Sequence, residues 1–232
     1  MNYKDKNLVK RILDISYKNK LSHLGSYFSC LDIIDDIFNK KKEDDIFILS
    51  CGHAALALYC VIEKYHKIDA EYLFNKHGGH PHLDEDNKIY CSTGSLGMGI
   101  TVAIGRAIVN TDKKVYCLIS DGETAEGSIW EALRFIKEKN IQNIEIHCSC
   151  NGYAAYDNVD IEYLKLRLVS FLPTIKFHLT DGDFFPFLKK LNAHYHIMSE
   201  NDYKIANQIL TWEKTSTKSC FKKCIKIKTF TS

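Results

Sequence analysis

The chain has 232 residues, of which 45% are hydrophobic and 26% charged, and its formal net charge at pH 7 is +2. This is ordinary for a globular protein and allows one α/β domain with a sizeable core. No segment reaches the roughly 18 unbroken apolar residues of a membrane span. The net charge gives no indication of nucleic-acid binding. We therefore expect neither a membrane nor a nucleic acid as a partner.

The two ends of the chain and its cysteines give further expectations. The charged N-terminus (MNYKDKNLVKR) lacks the apolar core of a signal peptide. The nine cysteines are scattered along the chain, which favours reduced thiols and a cytoplasmic location. We expect a single domain over residues 1–215, followed by a basic C-terminal extension at 216–232 that contains five lysines.

Helices and strands are predicted to alternate along the chain. Apolar spacing predicts helices at about 5–20, 29–39, 53–66, 69–76, 96–109, 128–140, 161–168 and 201–212. Short apolar runs predict strands at 45–50, 114–120, 144–150 and 174–180. This alternation is typical of a mostly parallel sheet with helices on both faces. The fold class is therefore predicted to be α/β, a three-layer sandwich.

Two polar side chains follow neighbouring strands of this sheet. The run 114–120 stops at Asp121-Gly122, a turn signal, and the next strand stops at Asn151. Consecutive parallel strands end at one edge of a sheet, so both side chains should face one crevice. Their oxygens suit Mg²⁺, which completes its coordination with water and phosphate oxygens. The sequence predicts a magnesium-diphosphate site, with Gly122 near the phosphate; the alternative is two simple tight turns.

Three histidines lie at element junctions or in loops. His23 follows the first helix, His53 follows the first strand, and His80 lies in the loop sequence GGHPH. Imidazole is well suited to proton transfer near neutral pH. A single histidine in such a position is more often structural, but three at ends predicted to face a ligand favour a catalytic site.

A glycine-rich run at 93–99 (TGSLGMG) precedes an apolar helix. Its glycines allow the backbone to approach a ligand closely. The run lacks the lysine of a phosphate-binding P-loop and follows no strong strand, so it fits neither a Walker loop nor a Rossmann turn.

Taken in order, these motifs resemble the N-terminal, thiamine-diphosphate-binding domain of transketolases. The matching segments are 22–26 (SHLGS), 49–55 (LSCGHAA), 79–81 (GHP), 93–99, 121–123 with 126–132, 151–152, 173–175, 194–196 and 201–203. The resemblance covers roughly residues 8–210 and implies the thiamine-diphosphate-binding fold.

The resemblance assigns a metal and diphosphate site to the edge of the sheet. Asp121 and Asn151 would hold Mg²⁺ through their side chains, and Tyr153 would hold it through its carbonyl oxygen. Gly122 would contact the diphosphate of the bound thiamine diphosphate, and Asn151 would lie beside it.

The remaining cofactor contacts and the catalytic roles also follow from the resemblance. Gly94 and Leu96 would line the cofactor, and Glu126 would lie at a subunit interface close to the partner's cofactor-activating glutamate. The three histidines, His23, His53 and His80, would face the reactive carbon of the cofactor and the sugar.

In this family the activating glutamate belongs to a second, pyrimidine-binding domain, and the sequence ends before one could begin. The resemblance therefore implies the N-terminal subunit of a split transketolase. It would transfer a two-carbon ketol unit between sugars or sugar phosphates, would be inactive alone, and would assemble with a pyrimidine-domain subunit into a heterotetramer.

Three other functions remain open. One is a thiamine-diphosphate-dependent transfer to an unusual acceptor, such as a nucleotide-linked keto sugar in surface-polysaccharide synthesis. Another is a 2-oxo-acid decarboxylase or a deoxyxylulose-phosphate synthase, and the third is a non-catalytic scaffolding subunit. Some positions depart from the family pattern: Cys51 replaces a lysine, Ser22 and Ser120 replace glycines, and 181–185 (DGDFF) replaces a lysine-glycine loop. The acidic loop should repel a diphosphate.

Overall fold

A computed structural model describes residues 5–155, 157–180 and 184–212. Its sheet has four strands in the order β1-β2-β3-β4: β1 Ile46–Leu49, β2 Val115–Ser120, β3 Ile144–Cys150 and β4 Lys176–Leu179. All three neighbouring pairs are parallel. The four strands fall within the runs predicted from the sequence, and strand order follows chain order.

The helices fill the connections between these strands and the two ends of the described chain. Their bounds are α1 Lys6–Lys18, α2 Leu24–Lys40, α3 Ala55–His66, α4 Ala70–His77, α5 Gly99–Val109, α6 Gly127–Glu138, α7 Ile161–Phe171, α8 Asn192–Tyr195 and α9 Glu200–Trp212. Single 3-10 turns lie at Gly52–Ala54, Glu85–Asn87 and Gly122–Ala125.

Helix α1 shows how the sequence fixes these elements locally. The Asp5 side chain accepts hydrogen bonds from the backbone N–H groups of Asn7 and Leu8, which caps the first turn. Buried apolar residues then recur on one face, at Leu8, Val9, Ile12, Leu13 and Ile15. This face packs α1 against α3 and α9, because a one-sided apolar stripe is stable only when it is covered.

The sheet is covered on both faces by apolar cores. Phe47 and Leu49 of β1 point into a core built with α1 to α4 and α9. Ile46 and Ile48 of the same strand point into a second core, built with α5, α6 and α7. Alternate residues of a strand face opposite sides, so burial of the whole strand requires a layer on each side. The predicted three-layer α/β sandwich is confirmed.

Several element bounds differ from the sequence prediction. Helix α2 begins at Leu24 and not near 29, because Leu24 to Tyr27 are buried and pack as part of the helix. Helix α5 begins at Gly99 and not at 96, since the glycine loop continues to Met98. The short helix α8 was not predicted. The loop at 181–183 and the predicted extension at 216–232 lie outside the described residues.

The structure bears on two further predictions, the absence of a membrane span and the reduced state of the cysteines. Across the described ranges, no helix combines the length and apolarity that crossing a membrane requires. The described cysteines carry free thiols and are buried: Cys30, Cys51, Cys60, Cys91, Cys117, Cys148 and Cys150.

Candidate active site

A cavity of about 450 Å³ opens at the carboxyl ends of β1, β2 and β3. Loops that follow parallel strands meet at this edge, where open α/β sheets bind ligands. Most of the predicted site residues line it: His23, His53, Gly94, Leu96, Asp121, Gly122, Glu126, Asn151 and Tyr153. His80 does not line the cavity, although it lies close to a residue that does.

Asp121 and Asn151 are joined directly at the floor of the cavity. Oδ2 of Asp121 accepts hydrogen bonds from the backbone N–H groups of Asn151, at 2.9 Å, and Gly152, at 2.7 Å. Oδ1 of Asp121 accepts from the Gly122 N–H at 3.0 Å. Oδ1 of Asn151 accepts from the Tyr153 N–H at 2.9 Å. The βαβ arrangement thus places both side chains in one crevice.

The oxygens in this crevice suit a hard cation. Asp121 is 2% exposed, and burial raises the pKa of its carboxyl group to about 6, although four backbone amides, its own among them, oppose the rise. A bound divalent cation would offset this cost of a buried negative charge. The described residues contain no cluster of three His, Cys, Asp or Glu side chains suited to a metal. A cation here would therefore rely on one carboxylate, one amide and a backbone carbonyl.

Gly122 allows the loop after β3 to pack closely against the turn after β2. A Cβ atom on Gly122 would lie 3.0 Å from Cα of Ala154 and 3.6 Å from the carbonyl oxygen of Tyr153. Any larger residue would push the loop after β3 away from the turn after β2. The glycine therefore holds the two loops, and the predicted ligand oxygens on them, close together.

Three imidazole rings that line the same cavity form a cluster. The ring centroids of His23 and His53 are 5.8 Å apart, and His194 lies 4.3 Å from the first and 5.7 Å from the second. Burial and the neighbouring rings lower the pKa of His53 to about 3 and that of His23 to about 4. Both rings are therefore neutral at pH 7, so each carries one hydrogen-bond donor nitrogen and one acceptor nitrogen.

His23 is held in a fixed position. Its backbone is left-handed, with φ of 67°, and its N–H donates to the carbonyl oxygen of His194 at 2.8 Å. Its Nδ1 pairs with the hydroxyl of Ser22 at 2.9 Å. The hydroxyl of Ser22 thus fixes the orientation of the ring.

His80 lies at the rim and packs on the glycine loop. A Cβ atom on Gly94 would lie 3.1 Å from Cδ2 of His80, and Gly94 has a φ of 145°. His80 is near enough to His23 and His53 to contribute to their lowered pKa values. The structure therefore brings all three predicted histidines to one region.

The glycine loop is wedged against the loop that carries His53. A Cβ atom on Gly52 would lie 2.7 Å from the backbone N of Gly94 and 2.7 Å from the backbone carbonyl carbon of Thr93. Side-chain Cβ atoms essentially never approach that closely. Gly105, in the exposed part of α5, has no heavy atom within 4 Å of an added Cβ.

We expect Gly52→Ala to lower the free energy of unfolding by about 1–3 kcal/mol, because two backbone segments must separate. Gly105→Ala is the matched control and should raise it by about 0.5–1 kcal/mol, since alanine favours the helix interior. Urea unfolding of both variants measures the difference. Equal effects of the two substitutions would contradict this account of the packing.

Two lining residues were not identified as site residues by sequence reasoning. His194 lies in the matching segment 194–196 and has no predicted role, yet its ring completes the imidazole cluster. Glu123 was quoted as part of a motif without a role, and it lines the cavity. The spacing of residues in the sequence indicates neither role. His194 reaches the site from a segment far along the chain, and a second carboxylate near Asp121 is common in a turn.

Comparison with known proteins agrees with this geometry. Residues 12–148 match the family described as transketolase, thiamine diphosphate binding domain. The chain belongs to this family. The match includes the strand-end carboxylate Asp121, two of the cavity histidines and the glycine loop.

Individual relatives share part of their length with the chain. A relative from Phocaeicola vulgatus, named as one of the subunits of apulose-4-phosphate transketolase, is 34% identical over 155 residues, which cover 58% of this chain and 55% of the relative. The protein of the same name from Actinobacillus succinogenes is 32% identical, covering 53% and 52%. A 1-deoxy-D-xylulose-5-phosphate synthase of Fusobacterium nucleatum is 30% identical, covering 65% and 25%. The matched part spans about half the length of the two apulose-4-phosphate transketolase relatives.

Solved structures agree on the fold. A transketolase variant from Pichia stipitis superposes with a TM-score of 0.73 at 16% identity, over 90% of this chain and 40% of that one. The transketolase of Leishmania mexicana gives 0.59 at 19% identity, over 91% and 34%. The chain thus has the thiamine-diphosphate-binding fold of transketolases.

Proposed function

We propose that this chain is the N-terminal subunit of a two-subunit transketolase. It binds thiamine diphosphate and Mg²⁺ and transfers a two-carbon ketol unit between sugars or sugar phosphates, together with a separate pyrimidine-domain subunit. The observation that carries the proposal is that the hydrogen-bonded Asp121–Asn151 pair and three histidines line one cavity. The two relatives that are themselves named as transketolase subunits support a division between two chains. We expect a cytoplasmic enzyme.

The cation and the diphosphate occupy the floor of the cavity in this proposal. Asp121 and Asn151 supply side-chain oxygens, and Tyr153 supplies its carbonyl oxygen. All three are hard oxygen donors of the kind that Mg²⁺ takes. Gly122 lines the cavity beside Asp121 and would contact the diphosphate.

The other predicted residues hold and serve the rest of the cofactor. Gly94 and Leu96 line the cavity from the glycine loop, and Glu126 lies at its exposed rim, where a partner subunit can reach it. The cofactor, when bound, supplies the stabilisation of a carbanion that ketol transfer needs.

The histidines act on the substrate. The ring nitrogens would form hydrogen bonds with sugar hydroxyl groups. His23 has Nε2 left for the substrate, because its Nδ1 pairs with Ser22, and the neutral His53 ring carries one donor and one acceptor. His80 packs on the glycine loop and lies near both rings. His194 contacts both rings edge to face and holds them in place.

The purified chain alone is expected to show no ketol transfer, because the cofactor-activating glutamate belongs to the pyrimidine-domain subunit. Mixing with that subunit should restore activity, with a stoichiometry of two copies of each. A coupled assay with a ketose phosphate donor and an aldose phosphate acceptor measures ketol transfer. Sedimentation of the mixture measures the stoichiometry of the complex. Robust transfer by the chain alone would overturn the two-subunit assignment.

A second candidate rests on the synthase relative from Fusobacterium nucleatum, which matches 65% of this chain. It would make the complex a thiamine-diphosphate enzyme that takes its donor from a 2-oxo acid. Release of carbon dioxide from a 2-oxo acid by the assembled complex, without ketol transfer from a ketose phosphate, would favour this candidate.

A further inference from the structure

Glu123 occupies a central position that the proposed chemistry does not use. It lies two residues after Asp121, in the 3-10 turn that follows β2, and its side chain is completely buried. Its Oε1 accepts a hydrogen bond from the Ser50 hydroxyl at 2.6 Å and another from the Gly97 N–H at 2.7 Å. A single oxygen atom therefore receives donors from two other loops.

The two donors belong to the loops that shape the cavity. Ser50 follows β1 and begins the segment that leads to His53, and its own N–H donates to the Leu118 carbonyl of β2 at 2.9 Å. Gly97 follows Leu96 in the glycine loop. Through Glu123, the turn that carries Asp121 is thus tied to the histidine loop and to the glycine loop.

The loops around Glu123 are packed closely against one another. Gly97 has a φ of 79°, and a Cβ atom there would lie 2.3 Å from Oγ of Ser128. Ser128 in turn donates to the Gly97 carbonyl at 3.0 Å. A Cβ atom on Gly99 would lie 2.6 Å from Cα of Ser50. The glycines thus allow the loops to approach closely. Glu123 links the Asp121 turn to two of these loops, and Ser128 of α6 adds a hydrogen bond to the glycine loop.

Stability alone does not account for a carboxylate at this position. Within the described residues, Oε2 of Glu123 is buried and has no hydrogen-bond partner. A buried carboxylate that is only partly satisfied costs free energy, and a well-packed apolar residue is often as stable or more so. The carboxylate instead fixes the relative positions of two loops, because one of its oxygens accepts hydrogen bonds from a donor on each of them.

We infer that Glu123 is a positioning residue that sets the shape of the cofactor cavity by holding the glycine loop and the His53 loop against the Asp121 turn. The inference rests on the proposed function for the identity of the ligand. The positioning role itself does not depend on the proposed function, because hydrogen exchange of the Gly97 amide tests it without any ligand.

The test compares Glu123→Ala with Glu123→Gln, with Glu138→Ala as control. Glutamine keeps one oxygen for Ser50 and Gly97 and exchanges an unpartnered oxygen for an unpartnered amide. Glu138 is an exposed residue of α6 whose ion pair with Arg134 contributes little. Two quantities are measured in the complex with the pyrimidine-domain subunit: the Kd of thiamine diphosphate with Mg²⁺, by calorimetry, and hydrogen exchange of the Gly97 amide.

Alanine is expected to raise Kd by about tenfold or more and to speed exchange at Gly97, because both donors lose their acceptor. Glutamine should stay within about threefold of the parent, and Glu138→Ala should match it. Unchanged Kd and exchange in the alanine variant would overturn the inference, as would a folded glutamine variant as impaired as alanine.

If the alanine variant does not fold, Ser50→Ala replaces it. A smaller increase in Kd is expected for Ser50→Ala, and an unchanged Kd would contradict the inference. Failure of the parent to bind thiamine diphosphate, with exchange at Gly97 still dependent on Glu123, would refute the proposed function and leave the positioning role standing.

Discussion

Asp121→Ala and Asn151→Ala are each expected to weaken Mg²⁺-dependent binding of thiamine diphosphate by more than about 100-fold. Each substitution removes an oxygen that the proposal assigns to the cation, and the loss of outer-shell partners alone typically costs 10–100-fold. Both side chains lie at strand ends, beside the cavity, so the apolar cores on either side of the sheet should remain closed. Calorimetric titration of the complex with the pyrimidine-domain subunit is the measurement.

The control for this prediction is Asn151→Asp, which keeps an oxygen at the same position. It should retain cofactor binding within about tenfold of the parent, since Mg²⁺ accepts carboxylate as readily as amide oxygen. Thermal unfolding of each variant shows whether the fold survives. Parental affinity in both alanine variants would mean that Asp121 and Asn151 only close tight turns, the alternative that the sequence left open.

His53→Ala and His80→Ala are expected to lower turnover of the assembled complex by roughly 10²–10⁴-fold, the usual contribution of a positioned acid or base. His80 is exposed and lies in a loop, so its loss should cost only about 0.5 kcal/mol of stability. Turnover measured beside thermal unfolding separates a catalytic role from a structural one.

His82→Ala is the matched control, because His82 is an exposed residue of the same loop whose ring lies 6.1 Å from that of His77, whereas His80 is near enough to His23 and His53 to lower their pKa values. It should leave turnover within about twofold of the parent, as expected for a surface substitution away from the site. Activity within a few-fold of the parent for His53→Ala and His80→Ala, or simple unfolding of both, would make these histidines structural.

The sequence predicted the layered fold because the determining pattern is local. The strands at 114–120 and 144–150 are short apolar runs that end in turn signals, and the helix between them has regular apolar spacing. Chain topology then requires parallel strand ends to share an edge. The proximity of Asp121 and Asn151 follows from these two facts, and the hydrogen bond between them confirms it.

The parts that sequence reasoning missed depend on contacts between distant segments. His194 reaches the cavity because α8 packs against the start of α2, where a Cβ atom on Gly25 would lie 3.0 Å from Cβ of Ala193. The early start of α2 has a related cause, since its first turn is buried by the same contact. The linking role of Glu123 depends on Ser50 and Gly97, which lie far from it in the chain. The periodicity of apolar residues in a sequence does not predict such contacts between distant segments.

The strand order has a consequence for how the chain reaches its native state. Because neighbours in the sheet are also neighbours in sequence, β2, α6 and β3 form the most local unit, whereas pairing of β1 with β2 must close the long segment from residue 50 to residue 114. Closing a longer loop costs more chain entropy, and non-local parallel pairing is slow. We expect the β2–α6–β3 unit to form first and β1 to dock late. The cavity needs loops from three strands, so its ability to retain a ligand should appear only in the final kinetic phase of refolding.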